Sequence, residues 1–168
     1  AFMLHADHKK PYDIGLQKSV VRNLVDSLKS WEVYWHPSYK AMTGVYNGNV
    51  LDFNNERGEF PGSTTQIRAH YLRSDARVWP ELNELGIKRD YSLGYADKPG
   101  FKSGMCRPYR AYDLKSDNVL DLEIVPTIVM DSSLKTYLGL SPHESVELVK
   151  KLNDCLLYTS DAADDVAS

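Results

Sequence analysis

Short apolar runs of strand length alternate along this chain with stretches of helical spacing, and several of the runs end on an ionisable residue. Such an alternation builds a layered α/β architecture rather than an all-α or all-β one. Phe2 to Leu4 reads as a strand that opens into the polar loop HADHKKPYD, in which His5 and His8 are expected to be solvated. Leu16, Val20, Leu24 and Leu28 recur at helical spacing and predict an amphipathic helix over roughly 14–29. A strand over Trp31–Trp35 stops at His36-Pro37, because a residue before proline is pushed out of helical geometry.

The segment 41–63 is rich in Gly, Asn and charge, with Val50, Leu51 and Phe53 as its apolar anchors, so a surface loop or weak helix is expected. Thr65 to His70 reads as a strand. Ser74 or Asp75 can cap a short helix that runs to Leu85 and is closed by Gly86. A strand near Tyr91–Gly94 precedes a loop punctuated by Gly and Pro as far as Pro108, and Leu122–Val125 is a strand that resumes after Pro126 as Thr127–Met130. Ser141-Pro142-His143-Glu144 is a capping box, a hydroxyl at the cap and a carboxylate three residues on, which explains His143 without a functional role. The helix it opens is expected to present Val146, Val149 and Leu152 to the core.

A chain of 168 residues suits one compact domain, and 42% hydrophobic with 26% charged residues is an ordinary globular balance. Neither the net charge of -3 nor any basic run points to nucleic acid. No apolar stretch reaches the roughly 20 residues of a membrane helix. Cys106 and Cys155 form neither a metal-ligand spacing nor a disulfide framework. The chain opens at Ala1 directly on an apolar run, as an internal strand cut open would, so an upstream signal would be missing and cytoplasmic and exported locations both stay open. Residues 155–168, beginning CLLYTSDAADD, resemble the translation of a sequencing-library adapter and are set aside as a non-native tail. The domain is therefore read as 1–154.

The strand ends carry the chemistry. His36, then Arg68 and His70, then Asp131 all close predicted strands, and in a parallel barrel the C-terminal strand ends share the rim where catalytic groups collect. WEVYWHPSYKAM, TQIRAHYLR, DYSLGYADKPGFKSGMCRPY and TIVMDSSLKTYLGLSP resemble successive motifs of a divergent polysaccharide-deacetylase family with a NodB-like catalytic domain, over roughly residues 1–154. The resemblance implies an incomplete (β/α) barrel of mostly parallel strands. It also implies a metal-dependent hydrolase that removes acetyl groups from N-acetylated polysaccharide or cell-wall glycan.

Carried over residue by residue, the resemblance makes His36 the first metal-ligand histidine of a His-x-x-x-His motif, whose second position falls on Lys40, a cation that does not ligate. Arg68 matches the arginine of an Arg-x-Pro-Tyr segment, with His70 at the proline and Tyr71 at the tyrosine. Asp131 stands where the late catalytic histidine belongs, and the early Asp pair would lie upstream of Ala1, Asp7 being a poor substitute. The catalytic set is then Arg68, His70 and Asp131, with His36 on the metal. Zinc is the first choice, although a mixed His/carboxylate site also suits manganese or iron. Arg107 and Tyr109 of the glycine-rich loop, with Tyr71, are the candidate sugar contacts.

Plain structural roles stand beside these. His36 can cap its strand end, Arg68 can pair with Asp131 or Glu123, and Asp131 can start a turn. His70 and Tyr71 alternate on a strand, so only one faces inward, and the resemblance favours His70. Two functions follow: a C–N hydrolase acting through a metal-bound water, or a non-catalytic glycan-binding relative that Lys40 and Asp131 would mark. A third is another hydrolytic chemistry on the same scaffold. The chain as given is expected to be inactive and marginally folded.

Overall fold

A computed structural model describes residues 2–5, 19–28, 33–61 and 63–164, with the backbone alone at 2–5, 63 and 157–164. The expected helix start before Ser19, the loop residues Asp7 and His8, and Trp31 lie outside the described residues. The α/β alternation is borne out. In chain order the elements are β1 (Phe2–His5), α1 (Ser19–Ser27), β2 (Val33–His36), α2 (Tyr39–Tyr46), α3 (Leu51–Glu59), β3 (Ser63–Ile67) and a tight turn at His70–Leu72. After these come α4 (Trp79–Glu84), β4 (Arg89–Asp90), β5 (Tyr109–Asp113), β6 (Asn118–Ile124), a π-helical turn at Ser133–Tyr137, and α5 (Pro142–Asp164).

The chain divides into two compact units, residues 1–93 with 108–125, and residues 94–107 with 126–168. The first holds one six-stranded sheet in the order β1-β2-β3-β4-β6-β5. Neighbours from β1 to β6 pair in parallel and only β5 runs antiparallel. The sheet is therefore wound in sequence order, each parallel strand laid beside the one before it. Its helices share one face: Val21 of α1, Met42 and Val45 of α2, Phe53 of α3 and Leu82 of α4 join Trp35, Ile67, Leu122 and Ile124 in a single core. Trp35 and Phe53 are its centre, fully buried with ring centroids 4.6 Å apart.

The segment expected as loop or weak helix is two helices, and the reason lies in packing. Met42 and Phe53 have no exposed surface, so the tertiary core holds helices that local sequence supports weakly. Ser38 caps α2 by accepting from the Ala41 N–H at 3.1 Å, and its own N–H and hydroxyl donate to the Glu56 carboxylate of α3. Gly44 allows the turn between them, since a Cβ there would run into the Asn49 carbonyl. The α4 helix starts at Trp79 with no side-chain cap. Ser74 and Asp75 are engaged elsewhere, with Asp90 and Arg77 respectively. Gly86, at φ 77°, ends that helix as expected.

Two further expectations are corrected: Thr127–Met130 is not a strand, and the strand expected near Tyr91–Gly94 lies at Arg89–Asp90. The sheet's last strand is β5, which pairs with β6 across a turn at 114–117. That hairpin is invisible to a search for parallel units because YRAYD and NVLDLEI carry polar residues on their outer face.

In the second unit the loop 94–107 packs on the segment after Pro126. Gly100 N–H donates to the Ile128 carbonyl at 2.8 Å, and the Ser133 hydroxyl donates to the Ala96 carbonyl at 2.8 Å. The capping box is present as read: Ser141 N–H and its hydroxyl both donate to Glu144 Oε2, at 2.8 and 2.7 Å. The helix it opens does not bury the residues expected, since Val146 and Val149 are 53% and 39% exposed.

Candidate functional site

The face of the sheet opposite the helices carries the polar residues. Alternation sends Val33 and Trp35 of β2 into the core and turns Tyr34 and His36 the other way. On that face Tyr34 stacks on Tyr91 with centroids 5.7 Å apart, and Tyr91 donates to Gln66 Oε1 at 2.8 Å. Gln66, Arg89, Glu123 and Arg110 form one cross-strand row in register. Arg89 pairs with Glu123 at 2.6 Å, while Lys88 and Arg110 both grip Asp121. These six side chains line an open cavity of about 440 Å³. The two cations hold the Asp121 carboxyl down at about 2. Glu123 thus pairs with Arg89 rather than serving Arg68.

His36 sits at the C-terminal end of β2, and the backbone beyond β3 is laced to it. Arg68 N–H donates to the Trp35 carbonyl at 3.2 Å, and His70 N–H donates to the Pro37 carbonyl at 3.1 Å. The Arg68 carbonyl in turn accepts from His36 Nδ1. A carbonyl only accepts, so Nδ1 of His36 carries the hydrogen and the neutral ring keeps its lone pair on Nε2. That Nε2 lies 3.1 Å from His70 Nδ1. The two rings meet edge-on at 62°, centroids 5.2 Å apart. Both rings are half-buried.

His70 and Tyr71 are not on a strand, as the alternation argument assumed. β3 ends at Ile67, and the two residues lie in a turn where Tyr71 and Leu72 are both left-handed, at φ 56° and 53°. The turn nonetheless separates them as expected for His70: it packs on His36 while Tyr71 is 73% exposed. A buried clamp holds the turn at both ends. Ala69 N–H donates to Ser92 Oγ at 2.7 Å, and Ser74 Oγ donates to Asp90. Asp90, with no exposed surface, also accepts from the Ser92 N–H at 2.8 Å and from the Ser92 hydroxyl. Burial pushes the Asp90 carboxyl above its ordinary range, against the pull of those three hydrogen bonds. Nothing in the local pattern at KRDYS marked this carboxylate, because its role depends on a turn sixteen or more residues upstream.

The remaining candidates fall elsewhere. Lys40 reaches away to Asp52 at 2.7 Å on the outer surface of α2 and α3. Tyr109 is half-buried and packs against the helix-side core. Arg107 is exposed and Asp131 is exposed, both in the second unit. Cys106 is half-buried there. His5, read as a loop residue, is the last residue of β1 and pairs in register with His36.

The donor set can be tested against a metal by distance. Two imidazole nitrogens on one tetrahedral ion, with bonds of 2.0–2.1 Å, stand about 3.3 Å apart. His36 Nε2 and His70 Nδ1, at 3.1 Å, fit that spacing. Among the described residues no third His, Cys, Asp or Glu completes a cluster with them. No family model matches the chain, and neither a curated protein nor a solved structure matches it.

Proposed function

We propose that this chain belongs to a (β/α)-barrel hydrolase of the NodB-like polysaccharide-deacetylase type, acting on the N-acetyl amide bond of a polysaccharide or cell-wall glycan. The sequential winding of parallel strands with every core-forming helix of the first unit on one face is what a barrel wall requires, since a doubly wound sheet carries helices on both faces. The observation that carries the site is the histidine pair at the strand ends, with His36 Nδ1 anchored on a backbone carbonyl and Nε2 turned to His70 Nδ1 at 3.1 Å. An imidazole anchored in this way through one nitrogen is set to ligate through the other.

His36 and His70 would hold a divalent ion, zinc first, which when bound supplies an acidified water and a Lewis acid for an amide carbonyl. The chain's own contribution is orientation. The Arg68 carbonyl fixes the His36 ring, and the clamp through Ser92 and Asp90 fixes the backbone on either side of His70. With His36 neutral, His70 Nδ1–H donates to His36 Nε2, so ion uptake would require His70 to move that proton to its other ring nitrogen or release it. Arg68 remains the proposed charge-orienting group of the reaction.

A second reading, a glycan-binding relative without turnover, is favoured by Lys40. The position that the resemblance gives to a second histidine holds a cation paired with Asp52 on the outer surface. Bound metal and acetate release from N-acetylglucosamine oligomers separate the two. The hydrolase reading expects both, and expects His36→Ala to abolish metal uptake while the fold persists. A protein that binds glycan but takes up no metal and releases no acetate belongs to the second reading.

A further inference from the structure

We propose that Glu56 is a positioning residue for the histidine pair, acting through the peptide group between Pro37 and Ser38. The proposal deepens the reading above and rests on it for the metal ion, though not for the geometry of the two rings.

That peptide group is held from both sides. Its carbonyl, on Pro37, accepts from the His70 N–H at 3.1 Å. Its N–H, on Ser38, donates to Glu56 Oε2 at 2.9 Å. A trans peptide unit is planar, so its N–H and C=O point in opposite directions and neither turns without the other. Fixing the Ser38 N–H on Glu56 therefore aims the Pro37 carbonyl at His70. A carboxylate acceptor also polarises the peptide, which strengthens the hydrogen bond that its carbonyl accepts.

The same peptide follows directly on His36. The His36 ring is anchored at Nδ1 on the Arg68 carbonyl, and the Arg68 N–H donates to the Trp35 carbonyl at 3.2 Å. The end of β2 and the segment 68–70 are thus joined at three points. The outermost of these is the bond made by His70 itself, and it is the one that Glu56 backs.

Glu56 is committed to this one contact. It lies half-buried on α3, and among the described residues no lysine or arginine pairs with it. Its second oxygen takes the Ser38 hydroxyl, which in turn accepts from the Ala41 N–H at 3.1 Å. Both carboxylate oxygens therefore converge on Ser38. A tie between α2 and α3 does not require this, since Lys40 and Asp52 already join those helices at 2.7 Å on the outer surface. Partial burial costs a carboxylate hydration, and a plain helix contact needs no such group.

The test uses the full chain and zinc ion alone. In the metal-free protein the imidazole NMR signals of His36 and His70 report whether the two rings keep their contact. Glu56→Ala should shift and broaden those signals and weaken zinc binding about 10–100-fold, the usual effect of removing a group that orients a metal ligand. Glu56→Gln, which keeps an acceptor oxygen for the Ser38 N–H, should restore most of both. Asp52→Ala breaks the other tie between α2 and α3 and should change neither. Where Glu56→Ala does not fold, Glu56→Asp, whose carboxylate falls one methylene short, takes its place with changes in the same direction. Wild-type histidine signals in Glu56→Ala overturn the proposal, as does unchanged affinity in that variant where the wild type binds zinc. It is equally overturned by Asp52→Ala moving the signals as far, or by a glutamine variant no better than alanine. A wild-type chain that takes up no zinc sinks the hydrolase reading instead, and the metal-free signals still decide the role of Glu56.

Discussion

Replacing Asp90 with alanine should destabilise the first unit by about 2–4 kcal/mol at neutral pH. Three buried donors lose their acceptor: the Ser74 hydroxyl, the Ser92 N–H and the Ser92 hydroxyl. A buried donor left unsatisfied costs about 1–3 kcal/mol, and the fixed backbone N–H bears that cost most fully because hydroxyls can rotate to other partners. Removing a carboxylate that burial disfavours returns part of the loss. Against a total stability of about 5–15 kcal/mol this is a large fraction. In urea, with a slope of about 1–3 kcal/mol/M, it corresponds to a midpoint lower by about 1–2 M, read by the fluorescence of Trp35 and Trp79.

Asp90→Asn keeps one acceptor for Ser92 and should cost less, which gives a folded variant for a pH series. The Asp90 carboxyl is raised above its ordinary value of 3.8, so its protonated form is the one the fold prefers. The wild type should therefore lose stability relative to Asp90→Asn as pH rises from that ordinary value through the raised one, and the difference should be flat beyond it. A midpoint for Asp90→Ala within experimental error of wild type would refute the clamp. A difference that grew toward acid in favour of the Asn variant would refute the assigned cause.

Two further outcomes follow from the packing and from the capping box. Phe53→Ala should cost about 3–5 kcal/mol in the same urea assay, since the ring is fully buried against Trp35, and a loss below about 1 kcal/mol would mean that α3 is peripheral. Hydrogen bonds from Ser141 hold the Glu144 carboxyl below its ordinary 4.5, so the start of α5 is supported above that value and the support is lost as pH falls through the lowered one. Amide exchange at Ser145 and Val146 should speed up over that acid range, and Glu144→Gln should remove the dependence.

Much of this architecture was written locally. Proline after His36 ended a strand where the fold ends it, Gly86 stopped α4, and the hydroxyl and carboxylate of Ser141 and Glu144 set the start of α5, because each acts on its own backbone. The apolar runs at VYW, TQI and LEI declared strands, and their spacing declared an α/β layer. The helices between residues 39 and 59 were legible only as a loop or weak helix. Their support comes from Ser38 reaching Glu56 and from Phe53 meeting Trp35, pairs separated by 18 residues in each case.

The site divides in the same way. The sequence marked His36, Arg68, His70 and Asp131 as a group by their places at expected strand ends; the fold brings His36 and His70 within 3.1 Å, while Asp131 follows no strand. It also marked Tyr109, which packs on the core, because alternation along an antiparallel strand that had not been recognised decides which face it takes. Only the tertiary structure decided that the segment after β3 leaves the sheet in a left-handed turn, that Asp90 lies beneath that turn, and that Tyr71 is thrown outward while His70 turns in. Residue type and spacing act through the backbone nearest them. The pairing of two histidine rings depends on strand order and register, which the whole sheet sets.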